Sequence, residues 1–196
     1  MATTRKFSPP NLPISPPQYS SLWQEQFSNV LRLFFNTLTT TIDSAIPYGS
    51  YYDTTTQSNP VASATNLVEL NSTTAQYQVS IVSLTKIYVT QTGVYNLEFS
   101  AQLQRNAGAS ATDVYFWLLQ NGKAVNASAG YDSLPGGSGT KLITGWSYIT
   151  PLNAKDYIQI AWASADTNIS IQYLAPSGSI PASPSMGFNI NWVSNT

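Results

Sequence analysis

The sequence predicts an all-β fold, an antiparallel sandwich or barrel of about ten strands, preceded by an extended arm and a single α-helix. Three observations lead there. From Tyr95 to Leu103, the apolar residues Tyr95, Leu97, Phe99, Ala101 and Leu103 alternate with Asn96, Glu98, Ser100 and Gln102. In a strand, successive side chains face opposite sides, so this spacing gives one apolar and one wet face. Comparable short runs, punctuated by turn signals such as Asn121-Gly122, recur to the C-terminus. Helical spacing is confined to residues 20–42, and proline density before residue 20 forbids a helix there.

Residues 1–19 carry Pro9, Pro10, Pro13, Pro16 and Pro17, which favour extended polyproline-like backbone. Such a segment is either a disordered tail or an arm that orders on a neighbour. Phe7, Leu12 and Ile14 would be its apolar anchors. Residues 20–45 read as an amphipathic anchoring helix, with Ser21 and Gln24 as a capping box. Trp23, Phe27, Leu31, Phe34 and Leu38 recur at helical spacing, and the last four keep a 4-3-4 rhythm suited to a coiled-coil seam. Leu22, Leu33 and Phe35 widen the apolar surface, so the helix must be covered, by its own domain or by another protein. Residues 46–66 read as a polar, Tyr-rich linker, and 67–196 as the β domain. Its strands are expected near 67–70, 76–81, 85–90, 94–105, 112–120, 124–129, 141–150, 156–164, 168–174 and 186–193.

Composition narrows the functions. The 196 residues are 42% hydrophobic and 12% aromatic, enough for a sizeable core. Only 9% are charged, against about 25% in ordinary domains, so interfaces between copies need desolvate few ions. A net charge of -1 argues against nucleic acid, which demands clustered Lys and Arg. The chain has no His and no Cys, which removes the commonest general base, thiol nucleophiles, disulfides and the best zinc ligands. No apolar leader core and no membrane-spanning run is present in the sequence. Asp113, Asp132, Asp156 and Asp166 are scattered, with no motif that pairs them for hydrolysis or sets them at calcium-loop spacing. The expectation is a protein with no catalytic residues, no metal and no cofactor.

Two strands depart from simple alternation. Val114 to Leu119 is apolar on both faces, and Tyr157 to Ala163 nearly so. An antiparallel sandwich strand should show water one face. The second face therefore needs a cover, either another copy of the domain or the N-terminal helix. Tyr48, Tyr51, Tyr52 and Tyr131 lie in expected loops, where they could stack on sugars or pack onto the sheet.

The order Gly93-Val94-Tyr95-Asn96-Leu97-Glu98-Phe99-Ser100, then Phe116-Trp117-Leu118-Leu119-Gln120-Asn121-Gly122, then Leu152-Asn153-Ala154-Lys155-Asp156-Tyr157-Ile158-Gln159-Ile160 resembles a known family. It is similar to the jelly-roll domain shared by tumour necrosis factor and the globular head of complement, in the version carried by structural proteins of tailed bacteriophages. Lys155 stands where that family usually has Gly. The resemblance covers roughly residues 65–194. It implies a ten-stranded jelly roll and a homotrimer, with Tyr157 facing the trimer axis. Combined with the two-faced strands, it nominates Tyr115, Trp117, Leu119, Tyr157, Gln159 and Ala161 as the trimer interface. The function it implies is a virion structural protein, a capsid decoration, cement or head-fibre trimer anchored on capsid or tail proteins by the arm and helix. The alternative is a tail-fibre or receptor-binding module that recognises host-surface glycans.

Overall fold

The computed structural model describes residues 10–42 and 46–196, with side chains from 39 to 42 left out. The chain divides into two compact units, Met1–Ile46 and Pro47–Thr196. Phe7 lies outside the described residues.

In the first unit, α1 spans Ser21–Ile42. Its N-cap is Ser20, one residue earlier than the Ser21 capping box predicts. The Ser20 Oγ accepts from the Trp23 amide at 3.3 Å, and its carbonyl accepts the first helical bond from Gln24 at 3.1 Å. Gln24 is thereby free to accept from the Tyr19 hydroxyl at 2.7 Å. The proline arm doubles back beside the helix: the Trp23 indole donates to the Pro13 carbonyl, and Asn11, Leu12 and Pro13 share a cleft with Gln26, Asn29 and Val30. Trp23 stacks on Phe27 with ring centroids 5.2 Å apart. No described side chain of α1 is buried.

The second unit is built from fourteen strands. They are β1 (Tyr48–Asp53), β2 (Gln57–Ser58), β3 (Asn66–Leu67), β4 (Ser72–Tyr77), β5 (Val79–Val82), β6 (Lys86–Val89) and β7 (Gly93–Arg105). There follow β8 (Thr112–Gln120), β9 (Lys123–Ala124), β10 (Gly130–Leu134), β11 (Lys141–Leu152), β12 (Tyr157–Ser164), β13 (Ile169–Ile171) and β14 (Met186–Ser194). All pairings are antiparallel, in two sheets. The first runs β11-β7-β14-β1-β4, with β13 and β2 continuing beyond β14 along the same edge of β7. The second runs β10-β8-β12-β6-β5, with short β9 on β8 and β3 on β12. From β6 onward the chain passes back and forth between the sheets, the path of a jelly roll. Each sheet has seven strands, of which β2, β3, β9 and β13 are two or three residues long and the other ten are longer.

The core lies between the sheets. Tyr95, Leu97, Phe99, Ala101 and Leu103 of β7 point inward and are buried, as their alternation predicts. They meet Val114, Phe116 and Leu118 of β8 and Ile158, Ile160 and Trp162 of β12. Phe116 is central, with ring centroids 5.3 Å from Phe99, 5.8 Å from Trp146 and 6.3 Å from Trp162. Each such side chain contributes about 1.5–3 kcal/mol through apolar area removed from water. At the end of β7, buried Arg105 is matched by Asp166 at 3.3 Å. Amide bonds from Asn168, followed by the Arg105 charge, hold the Asp166 carboxyl below the usual range despite partial desolvation.

Several expected boundaries move. The stretch read as a linker, 46–66, contains β1, a strand held between β14 and β4. The strand expected at 76–81 is two strands, broken at Gln78 with φ 55°. The strand expected at 124–129 shrinks to β9, and β10 occupies the approach to the Gly-rich loop instead.

Candidate interaction surfaces

The outward sides of the two sheets are the largest surfaces available for function, and they differ. On the first sheet, the register places Ile143 opposite Gln102 and Ile149 opposite Asn96. Both isoleucines point out of the sandwich and are 74% and 72% exposed. Across the sheet, Tyr48 and Tyr77 stack at 6.4 Å on the far side. Between these ridges the outward side carries small residues, Gly145, Ser147, Ser100, Gly187 and Ser50, and polar ones, Asn96, Glu98, Asn189 and Asn191. Glu98 and Lys141 are the charged side chains on the outward side of these strands.

On the second sheet, β8 sends Tyr115, Trp117 and Leu119 outward, opposite Ala163, Ala161 and Gln159 of β12. Large residues on one strand thus face small ones on the next, and a groove of about 580 Å³ opens at the Ala163 end. Tyr115 and Trp117 form one wall and Ser63 stands opposite, held where its amide donates to the Ser164 carbonyl at 2.8 Å. Asp113 closes one end. Tyr131 on β10 extends the aromatic wall, with its ring 5.5 Å from that of Tyr115. The Asp113 charge, 3.4 Å from the Tyr115 hydroxyl, raises the pKa of that phenol.

At the other end of β12, Tyr157 packs on Tyr88 at 5.1 Å and lies under the Lys86 ammonium. Asp156, beside it, accepts from the Asn153 amide at 2.8 Å, the Gln120 side chain at 2.9 Å and the Asn121 side chain at 2.8 Å. Desolvation opposes its charge, yet these bonds prevail and keep its pKa below the ordinary carboxylate value. Asn121 and Gly122 both have positive φ, 52° and 78°, as a two-residue hairpin of this kind needs. The Asn121 side chain also accepts from the Tyr157 amide at 3.0 Å, so this clamp ties the β8–β9 turn to the start of β12.

These placements sort the expected site residues. Of the six nominated for a trimer interface, Gln159 and Ala161 are buried within the protomer, so neither reaches a partner. Gln159 is sealed by a bond to Thr85, and Ala161 sits between Leu67 and Trp117. Trp117, Leu119 and Tyr157 are half-buried, and only Tyr115 is openly exposed, at 42%. Among the tyrosines expected in loops, Tyr51 is 1% exposed and belongs to the core. Burial raises its pKa to about 12, and its hydroxyl donates to Gln76. Tyr48 and Tyr52 lie on the outward side of the first sheet and Tyr131, 61% exposed, on that of the second, so they form no common site. In the first unit, Leu12 and Ile14 are exposed, while Trp23, Phe27, Leu31, Phe34 and Leu38 form one half-covered stripe. Ile143 and Ile149 escaped the sequence reading, although their odd spacing from Leu142, Trp146 and Tyr148 on the other face of the strand was available as a signal.

The acids stay apart. Asp132 is bonded by Thr144, Asp156 is in the clamp, Asp166 pairs with Arg105, and Asp113 borders the groove. Among the described residues no three ligating side chains gather to hold a metal ion, and no helix is long and apolar enough to cross a membrane.

No protein-family model matches the chain, and no curated protein matches it in sequence. Among solved structures it is similar to the globular domain of the zebrafish complement 1qA protein, at 13% identity, over 78% of this chain and all of that one, with a TM-score of 0.47.

Proposed function

We propose that this protein is a virion structural protein of a tailed bacteriophage, a homotrimer that decorates or cements the capsid or forms a head fibre. The observation that carries the reading is the pair Ile143 and Ile149, largely exposed on a twelve-residue strand beside a polar sheet surface with few charges. Exposed aliphatic ridges are unfavourable in water and favourable when a second copy covers them. An Ile ridge meeting the Tyr48–Tyr77 side of the next copy is a heterologous contact, which closes into a ring when the rotation permits. The resemblance in the strand motifs favours three copies. The interface proposed from the sequence, around Trp117 and Tyr157, therefore moves to the other sheet.

The first unit supplies the anchor. The stripe Trp23, Phe27, Leu31, Phe34 and Leu38 is half-covered, and Leu22, Leu33 and Phe35 are open. A helix with this surface is stabilised by a partner, and the reading assigns that partner to a capsid or tail protein. Sedimentation equilibrium at micromolar concentration tests the assembly. A trimer that Ile143→Glu with Ile149→Glu converts to monomer is expected, and a monomeric native chain overturns it. Binding to particles that lack the protein tests the anchor: Phe27→Asp with Phe34→Asp should abolish attachment and leave the trimer intact.

A further inference from the structure

We propose that the groove on the outward side of the second sheet binds a neutral saccharide, with a pyranose ring stacked on the Tyr115–Trp117–Tyr131 wall and its hydroxyls bonded to Asp113. This goes beyond the assembly role and does not depend on it, because the groove and the Ile143–Ile149 ridge lie on opposite sheets.

Three features select this occupant. The first is shape: at about 580 Å³ the groove lies within the roughly 300–1,000 Å³ of small-ligand sites. Ala163 helps make it, because its methyl leaves space beside the bulkier β8 side chains. The second is the kind of apolar surface present. Tyr115, Trp117 and Tyr131 offer flat rings with polar tips, suited to a ligand whose own faces are apolar and whose edge is polar. A pyranose presents C–H groups on a face and hydroxyls round its rim.

The third is charge. Asp113 is the sole ionisable acid or base other than a phenol among the lining residues, and no Lys or Arg joins it. Among the described residues its carboxylate accepts one side-chain hydrogen bond, from Tyr115 at 3.4 Å, while its carbonyl accepts from the Ser164 hydroxyl at 2.9 Å. A purely apolar peptide seated here would strip water from that carboxylate and return no donor, which is costly. An anionic sugar or a phosphate would be repelled. A neutral sugar returns hydroxyl donors to the carboxylate, and its remaining hydroxyls can meet Ser63 and Thr112 on the rim.

The test is a printed array of neutral oligosaccharides (gluco-, galacto-, rhamno- and N-acetylglucosamine series) beside sialylated and uronate-containing ones, probed with the full chain. Hits are then titrated by calorimetry. The expected result is binding confined to the neutral series. Asp113→Asn should weaken it about tenfold or more, and Tyr131→Ala several-fold. Tyr131 is exposed, so that variant keeps the fold even where Trp117→Ala does not. Ile180→Ala, exposed in the loop before β14 and outside both surfaces, should bind as the native protein does. An array with no neutral hits, preference for the anionic sugars, or affinity unchanged in both Asp113→Asn and Tyr131→Ala overturns the proposal. The assembly reading is scored separately: a monomer that binds neutral sugar defeats the trimer alone, and a trimer that binds none defeats the groove alone.

Discussion

The two outward faces share one core and one strand path, yet they are different materials. On the first sheet, small and uncharged polar residues fill most of the centre, with Glu98 among them, and Ile143 and Ile149 stand out along one margin. On the second, a large and a small residue face each other across one strand pair, Tyr115 against Ala163, and a groove opens there. A sheet surface with an exposed aliphatic margin suits another protein, since area must be gained without a deep pocket. A groove with aromatic walls and one carboxylate suits a small polar ligand. The sandwich permits this division because inward and outward side chains alternate on every strand, so each outer face is set by residues that the core does not use.

The largest expected effect comes from the shared interior. Phe116→Ala removes the ring that joins Phe99, Trp146 and Trp162, at a cost of about 3–5 kcal/mol. Urea unfolding should read that loss, with assembly and sugar binding falling together. The face variants should instead separate the two. Ile143→Glu with Ile149→Glu should shift sedimentation to the monomer and leave the urea midpoint of the dissociated chain near that of an isolated native protomer, because both side chains are exposed. Should the double variant unfold the domain outright, the contrast between core and face fails.

What the sequence made legible follows how local each determinant is. β7 could be read because its inward set is wholly apolar from Tyr95 to Leu103. β1 could not, because its inward residues are Gly49, Tyr51 and Asp53, and a buried carboxylate in a Tyr-rich stretch looks like a loop. Asp53 is tolerated there because Thr55, Gln57 and Ser185 all donate to it. The apolar second faces of β8 and β12 were readable, and they did mark unusual strands. Their consequence was not, because burial of Gln159 and Ala161 depends on Thr85 and Leu67, brought in by long-range pairing. The groove needs the same information: only the register of β8 on β12 sets Tyr115 beside Ala163.

Acid should loosen the second sheet at the clamp. The Asp156 pKa is lowered in the folded protein from 3.8, so its contribution to stability is fully present above the unfolded value. That contribution is lost as pH falls through the folded value. Amide exchange near residues 120–123 and 153–157 should therefore quicken below about pH 4, before exchange in the middle of β11. In Asp156→Asn the acid-induced rise at these amides should vanish; its persistence would place the titrating group elsewhere.

The smallest effect is expected at Lys155. It follows the β11 hairpin side of the clamp with φ at 76°, a left-handed conformation in which a side chain carrying a Cβ is disfavoured. Glycine adopts such a φ at no steric cost, so the backbone here keeps a glycine geometry without the glycine. The fold enforces it, since the Lys155 amide donates to the Val89 carbonyl at 2.8 Å and the Asp156 amide to that of Asn153 at 2.9 Å. Lys155→Gly relieves the steric cost but widens the freedom of the unfolded chain, so the net gain should be about 1 kcal/mol. In a chain of this length that corresponds to a rise of about 2–4 °C in Tm. Calorimetry on the Ile143→Glu, Ile149→Glu background reads it without interference from assembly. A fall in Tm would mean that the Lys155 side chain, rather than the backbone geometry, stabilises the turn.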